Sequence, residues 1–254
     1  MIKFENVVHS YGKRTPFADK RKTVLAGVDF SLKRGEIICL MGPSGCGKTT
    51  MVNLIMGNLI PTSGAVWVMG ELAPYKNGRS NIGYMPQEDA LCEDIPAGEN
   101  LKFFGAMNGM KKGEIKKRTK EMLALGRLEK EEKTLVSDFS GGMKRRLSLG
   151  VALMHNPDLL VLDEPTVGLN PDHRRHIWDE FERMAADGKT ILVTTHVMDE
   201  AERCGRIAML YNGSIIATGS PGEILKASGT ENLEDAFLSL ERAADCGREA
   251  VAYE

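Results

Sequence analysis

Short runs of apolar residues, each followed by a turn and a helix-like stretch, recur along this chain. The segments 35–41, 81–85, 159–162 and 190–194 are mostly apolar and lack the alternation of polar and apolar positions that marks a strand with one solvated face. Parallel strands covered by helices on both faces show this continuous pattern. Strands that alternate with helical stretches therefore predict an α/β core built on a parallel sheet.

Two other parts of the chain predict antiparallel strands. Near the N-terminus, 5–9 and 23–32 have strand-like patterns. Further along, 206–211 and 214–218 are separated by Asn212-Gly213, a dipeptide that favours the two-residue turn of a hairpin. We expect an N-terminal antiparallel β subdomain and a hairpin late in the chain.

Between residues 89 and 156 the strand-like runs vanish, and helical patterns rich in Lys, Glu and Leu replace them. This change predicts an α-helical subdomain inserted between two halves of the core. From residue 231 onward, Leu233, Phe237 and Leu240 lie at helical spacing among acidic residues. This spacing predicts a short docked helix with an irregular acidic end.

Composition narrows the class of protein. The 254 residues are 42% hydrophobic and 27% charged, as in ordinary globular proteins, which excludes a disordered or collagen-like chain. The formal net charge of -2 gives the whole chain no general attraction to nucleic acid.

No run of about 18 apolar residues is present, so we expect that the chain does not cross a membrane by itself. The five cysteines are scattered without zinc-binding spacing, which suits the cytosol.

One glycine-rich segment predicts a phosphate site. Residues 42–49, GPSGCGKT, match G-x-x-x-x-G-K-[ST] between a predicted strand and a predicted helix. The glycines let backbone N–H groups point at phosphate oxygens, and the helix N-terminus adds its positive dipole end. We expect Lys48 to reach the β- and γ-phosphates and the Thr49 hydroxyl to ligate Mg²⁺. Kinases, GTPases and many motors share this motif, so it leaves the enzyme class open.

Two further motifs follow. The apolar run 159–162 ends in Asp163 and Glu164, which could hold Mg²⁺ and activate water, or could be no more than solvated acids at a strand end. Ser140-Gly-Gly142 begins a predicted helix, which provides either a second anion site or a simple helix cap. A single triphosphate needs only one such helix start, so the second one is the most informative feature of the sequence.

Taken together and in order, these motifs resemble the nucleotide-binding domain of an ATP-binding cassette (ABC) transporter over nearly the whole chain. In addition to the motifs above, Tyr84-Met-Pro-Gln87 resembles the glutamine loop of that family, and residues 165–170 resemble its D-loop. Thr195-His196 resembles the switch histidine, and Tyr11 the aromatic residue that stacks on adenine.

The resemblance implies a fold and a set of site residues. The fold is a P-loop NTPase (RecA-like) core at about 1–88 and 158–219, with a helical subdomain at 89–157 and a C-terminal helical tail at 220–254. The implied catalytic residues are Lys48, Gln87, Glu164 and His196. The implied metal ligands are Thr49, Gln87 and Asp163. The residues implied to bind ATP are Tyr11, Gly42, Pro43, Ser44, Gly45, Cys46, Gly47, Lys48, Thr49, Thr50, Ser140, Gly141 and Gly142.

The resemblance also implies partners. In that family two domains pair head to tail, and each ATP lies between the P-loop of one domain and the signature Ser-Gly-Gly of the other. A homodimer, or a dimer with a sister ATPase subunit, is therefore expected. The transmembrane permease subunits are expected in separate chains, with this chain on the cytoplasmic face of the membrane and no nucleic acid bound.

Several positions bear on the direction of transport and on turnover. The string 141–147, GGMKRRL, is similar to cassettes of the ABC-2 type and subfamily A, which favours export. Asn170 replaces the usual D-loop aspartate, which leaves open an ATP-dependent dimerisation module with little turnover. A cassette ATPase that acts on the ribosome or on DNA is the other alternative, although such proteins usually carry two cassettes or long coiled coils.

Overall fold

The computed structural model describes residues 1–12, 14–15, 18–19, 21–75 and 78–252. The chain divides into two compact units, Met1–Lys76 with Thr194–Glu254, and Asn77–Val193. The subdomain boundaries expected from the sequence stay a prediction.

Strands and helices follow one another along the described part of the chain. The strands are β1 (Ile2–Tyr11), β2 (Arg14–Thr15), β3 (Ala18–Asp19), β4 (Lys22–Leu32), β5 (Ile37–Met41), β6 (Ser63–Val68), β7 (Glu71–Leu72), β8 (Ile82–Met85), β9 (Leu159–Asp163), β10 (Thr190–Thr195), β11 (Arg206–Tyr211) and β12 (Ser214–Gly219). The helices are α1 (Lys48–Ile55), α2 (Ala97–Met107), α3 (Lys112–Leu125), α4 (Gly141–Leu153), α5 (Pro171–Ala186), α6 (Met198–Ala201), α7 (Pro221–Ser228) and α8 (Leu233–Ala252).

In the first unit, an antiparallel sheet has the strand order β4-β1-β6-β7. Phe4 and Phe30 are partners in the register of β1 and β4, and their rings meet edge to face with centroids 5.9 Å apart. Both side chains are buried, so alternate residues of these strands form one apolar face. This sheet is the antiparallel β subdomain expected near the N-terminus.

The same unit contains the strand that leads into the phosphate motif. All five residues of β5 are buried, and β5 pairs in parallel with β11. In turn, β11 pairs antiparallel with β12. The turn between β11 and β12 has positive φ at Asn212 (44°) and Gly213 (76°), which is the backbone that a two-residue hairpin turn requires. The hairpin prediction is confirmed.

In the second unit, β8 and β9 pair in parallel, and β10 is the next strand beyond β9. Every residue of β9 is buried, as the continuous apolar run predicts. Gly83 on β8 permits close packing, because a Cβ there would lie 2.3 Å from the carbonyl oxygen of Ala152. The parallel strands expected at 81–85 and 159–162 are therefore present. Together with the antiparallel sheet and the helices, they make a mixed α/β chain.

The helices α2, α3 and α4 pack together in the second unit. Gly150 on α4 faces Met122 and Leu101, which an added Cβ would approach to 3.3 Å and 3.4 Å. The Asn100 side chain is buried. Its Oδ1 accepts from the Cys92 N–H, and its Nδ2 donates to the Cys92 carbonyl, at 2.9 Å each. Backbone groups that precede α2 are thus satisfied by one side chain.

The C-terminal helix is longer than the sequence suggested. The expectation was a short helix with an irregular end, whereas α8 runs for 20 residues. Phe237 packs edge to face on Tyr211, with ring centroids 6.4 Å apart, and the Tyr211 hydroxyl donates to Asp245 at 2.9 Å. This hydrogen bond is the main cause that raises the pKa of Tyr211 to about 12. Tyr211 thus contacts α8 at two positions about two turns apart.

None of the described helices has the length and apolar character needed to span a membrane.

His155, which follows α4, makes the stability of this protein sensitive to acid. Burial is the main cause that lowers its pKa below the ordinary 6.5, and the positive charges of Arg118 and Lys189 lower it further. The unfolded chain therefore binds a proton more readily than the folded one. The contribution of His155 to stability should be fully present above about pH 6.5 and lost as the pH falls toward its lower folded pKa.

We predict that His155→Gln reduces this acid sensitivity. The difference in melting temperature between pH 7.5 and pH 5.5, measured by thermal unfolding, should shrink by on the order of 2 °C relative to the parent. The same pH dependence in parent and variant would contradict this assignment.

Candidate functional site

The phosphate motif forms a tight loop between β5 and α1. Gly47 precedes α1 with φ of 116°, a conformation that residues with a Cβ rarely adopt. A Cβ at Gly42 would lie 2.1 Å from the carbonyl oxygen of Leu210, so the loop passes directly against β11. The Lys48 side chain folds back over the loop, and its Nζ donates to the carbonyls of Gly42 at 2.7 Å and Pro43 at 3.0 Å. These carbonyls hold the ammonium group beside the loop whose N–H groups are expected to bind phosphate.

Tyr11 lies next to this loop. Its hydroxyl and the Thr50 hydroxyl are 3.3 Å apart, and Thr50 is in the first turn of α1. The Tyr11 ring contacts His9 edge to face and remains 44% exposed. The structure thus brings together two residues that the sequence predicted for ATP, and it leaves part of the aromatic ring open for contact with a base.

His196 also lies near the loop. It lines a small cavity together with Gly42 and Pro43. The turn that carries it is held by Thr195, whose hydroxyl donates to the buried Glu200 carboxylate at 2.8 Å and accepts from the Val197 N–H at 3.1 Å. The imidazole is therefore placed beside the first residues of the phosphate loop by its own turn.

The second unit positions the two acids at the end of β9. Asp163 is only 2% exposed, and its negative charge adds to the burial that raises the pKa of Tyr84. Glu164 has φ of 51°, in the left-handed region that costs a residue with a Cβ about 1–2 kcal/mol. Such backbone strain is commonly found where a side chain is held for function. The backbone conformation thus changes between Asp163, the last residue of β9, and Glu164.

Ser140 begins α4 and accepts from the Met143 N–H through its hydroxyl at 3.3 Å. Ser140 and Gly141 are exposed, and a Cβ added at Gly141 would meet nothing within 4 Å. Ser140 is therefore a helix cap, as one of the two interpretations of Ser140-Gly-Gly142 predicted. The same N-terminus is nevertheless exposed at Ser140 and Gly141.

Asn170 has a structural role that its sequence position alone did not show. It is the N-cap of α5, and its Oδ1 accepts from the His173 N–H at 2.9 Å. Asn and Asp cap helices about equally well. The replacement of the family's usual aspartate therefore preserves this cap.

The predicted metal ligands are Thr49, Gln87 and Asp163, whose side chains offer a hydroxyl, an amide and a carboxylate oxygen. Mg²⁺ prefers such oxygen ligands and is usually bound by few protein groups together with phosphate. The buried Asp163 carboxylate at a strand end fits this chemistry. No cluster of His, Cys, Asp and Glu able to hold a metal occurs in the described ranges.

Comparison with known proteins decides between the enzyme classes that the phosphate loop leaves open. The model of the family described as "ABC transporter" matches residues 25–167. This chain belongs to the ABC transporter family. The linearmycin resistance ATP-binding protein LnrL of Bacillus subtilis (strain 168) is 39% identical over 236 residues, 92% of this chain and 73% of the relative. The Nod factor export ATP-binding protein I of Paraburkholderia xenovorans (strain LB400) is 40% identical over 227 residues, 88% of this chain and 72% of the relative.

Solved structures agree. The ATP-binding subunit of an ABC transporter has a TM-score of 0.84 at 27% identity, covering 94% of this chain and 98% of the other. A dimeric ATP-binding cassette in a post-hydrolysis state, bound to ADP and Pi, has a TM-score of 0.79 at 28% identity, covering 87% and 98%. The ABC domain therefore has a P-loop NTPase fold, binds ATP and hydrolyses it to drive transport. This outcome favours the transporter ATPase over the ribosome- or DNA-acting ATPase and over the module with little turnover.

Two buried residues that hold this ABC domain's predicted site residues were missing from the predicted set. One is Glu200, which fixes the turn of His196. The other is Arg145 of α4, which is 5% exposed and donates to the carbonyl oxygens of Gln87 and Glu164. In the sequence, Arg145 belongs to a Lys-Arg-Arg run that is typical of a solvated surface, and no pattern indicates that it is buried.

We predict that Gly42→Ala weakens ATP binding more than tenfold, because the backbone oxygen of Leu210 cannot move away from the added methyl group. Gly188→Ala is the matched control. Gly188 has an open environment and φ of 89°, so alanine there adds backbone strain at a position outside the phosphate loop. ATP affinity can be measured by titration calorimetry. Equal ATP affinity in the two variants would show that the close approach at Gly42 does not shape the loop.

Proposed function

We propose that this ABC domain is the ATPase subunit of an exporter, and that two copies, or one copy and a sister subunit, close around two molecules of Mg²⁺–ATP. One observation carries the proposal. The chain has two helix N-termini suited to phosphate, at α1 and α4, and the one at α4 is open to solvent. The relatives named for Nod factor export and linearmycin resistance, and the dimeric cassette, support it.

Each predicted residue then has a chemical role. The N–H groups of 42–50 and the Lys48 ammonium bind the phosphates, and the Tyr11 ring packs on the base. Glu164 accepts a proton from the attacking water, while Gln87 and His196 orient the water and the γ-phosphate. Thr49, Asp163 and Gln87 would hold Mg²⁺, which neutralises charge on the phosphates when bound.

The open N-terminus of α4 completes the site in the other chain. Ser140, Gly141 and Gly142 offer a hydroxyl, backbone N–H groups and the positive end of the helix dipole. These groups favour a negative charge, and a γ-phosphate on a partner's P-loop supplies one. ATP therefore holds the two chains together, and hydrolysis removes the contact.

Separate transmembrane subunits are the partners that we propose for the helical part of the second unit. On α2, Phe103 is 45% exposed and Met107 is 68% exposed, and their spacing of four residues puts them on one face of the helix. Large apolar side chains exposed together mark a surface for contact with another protein. We place the domain at the cytoplasmic face of the membrane, in contact with the permease through this surface.

The first test is Glu164→Gln. We predict that turnover falls at least 100-fold while ATP still binds, because the amide keeps the shape of the side chain but cannot accept the proton. ATP-bound dimer should accumulate on size-exclusion chromatography. Glu202→Gln, a change of an exposed carboxylate elsewhere, is the control and should keep parental phosphate release. Parental turnover in Glu164→Gln would rule out this residue as the base.

The second test is Ser140→Arg, made in the Glu164→Gln background that stabilises the dimer. A bulky cation at the start of α4 should abolish ATP-dependent dimerisation and leave ATP binding by the monomer within about twofold. Ser137→Arg places the same side chain at an exposed position three residues earlier and should still dimerise. If Ser140→Arg also loses ATP binding as a monomer, the site is not shared between chains in the way proposed.

A further inference from the structure

Arg145 of α4 contacts two of the predicted catalytic segments. Its Nη1 donates to the carbonyls of Pro86 at 2.9 Å and Gln87 at 3.0 Å. Its Nη2 donates to the carbonyls of Asp163 and Glu164, the latter at 2.7 Å. One guanidinium thus binds the backbone of the glutamine loop and the backbone of the two acids at once.

The charge of Arg145 is buried together with these carbonyls. The side chain is 6% exposed, and Asp89, which follows the glutamine loop, forms an ion pair with Nη1 at 3.1 Å. A buried cation is unfavourable unless hydrogen bonds and an opposite charge compensate it. Here two of the four compensating carbonyls belong to the glutamine loop and two to Asp163 and Glu164, so this arrangement exists only while both segments keep their places.

The backbone of Glu164 needs such a restraint. Its φ of 51° is in the left-handed region, which residues with a Cβ leave readily when nothing holds them. The Glu164 carbonyl accepts from Arg145 Nη2 and also from the Val167 N–H at 3.3 Å. The shorter of these two hydrogen bonds, from Arg145, therefore helps to hold the peptide group of Glu164 in this conformation.

We propose that Arg145 is a positioning residue for ATP hydrolysis, which holds the backbones of Gln87 and Glu164 in one fixed arrangement. This inference rests on the proposed roles of those two residues. Arg145 touches no phosphate in this scheme, and it acts on the hydrolysis step alone. An error of about 1 Å in the placement of a reacting group can cost about 100-fold in rate.

The planar guanidinium is required for this role. Two separate nitrogens, each with two N–H donors, serve two segments, whereas a lysine ammonium is a single point donor. Arg145→Lys should therefore satisfy one segment and leave the other unbound. Turnover in Arg145→Lys should lie between that of the parent and that of Arg145→Met, in which the long apolar side chain fills the space without donating.

Arg118 provides the matched control. It also donates to two backbone carbonyls, those of Leu153 and Met154, and pairs with a carboxylate, that of Glu121 at 2.6 Å. Its side chain is 19% exposed. Arg118→Met therefore removes a similar set of interactions within the same unit, from carbonyls that carry no predicted site residue.

The experiment measures kcat, ATP affinity and melting temperature for the parent and for the variants Arg145→Met, Arg145→Lys, Arg118→Met and Glu164→Gln. We expect Arg145→Met to lower kcat about 100-fold, with the dissociation constant for ATP within about twofold of the parent. We also expect it to accumulate the ATP-bound dimer, as Glu164→Gln does. Arg118→Met should lower the melting temperature while keeping parental kcat and no trapped dimer.

The outcomes separate the two proposals. A parental kcat in Arg145→Met beside an inactive Glu164→Gln overturns the positioning role and leaves the proposed function standing. An equal loss of kcat in Arg118→Met and Arg145→Met overturns it as well, because the effect is then one of stability. If Arg145→Met does not fold, Arg145→Lys decides, and parental kcat in that variant overturns the inference.

Discussion

Unpaired backbone N–H groups at helix N-termini are the feature on which the chemistry of this ABC domain depends. An α-helix leaves its first N–H groups without internal partners, and its dipole makes that end positive. At α1, the phosphate loop leads into this end from the buried strand β5. At α4, the Ser140 hydroxyl accepts from the Met143 N–H, and Ser140 and Gly141 are exposed. In the proposed function, phosphate is the ligand that both helix ends bind, and this shared ligand would link nucleotide binding to association between chains.

Buried carbonyls and charges hold in place the side chains and segments that are predicted to act on the phosphate. Thr195 and Glu200 hold the turn of His196, the carbonyls of the phosphate loop hold Lys48, and Arg145 holds the segments of Gln87 and Glu164. In each case a polar group without solvent must find its partner inside the protein. Leaving such a group unpaired costs free energy, which favours the observed placement of these segments.

Prediction from the sequence succeeded where a local pattern has a local physical cause. The run 159–162 predicted a buried strand, since a parallel strand covered on both faces is apolar throughout, and Asn212-Gly213 predicted the positive φ of a hairpin turn. It predicted the C-terminal helix but underestimated its length, because the contact of Asp245 with Tyr211 involves residues far apart in the chain. It also missed Arg145, whose neighbours Lys144 and Arg146 make the run look like a solvated surface.

The sequence by itself indicated the class of chemistry, ATP binding and hydrolysis. The glycine-rich loop with Lys48 and Thr49 is recognisable from residue types and spacing, since backbone freedom and charge are local properties. The acids Asp163 and Glu164 and the start of α4 at Ser140 are recognisable from their order in the family resemblance. Only the tertiary structure decided which groups hold them. The closeness of Gly42 to Leu210, the N-cap made by Asn170 and the burial of Arg145 against four carbonyls depend on which distant segments meet, and no short pattern encodes that meeting.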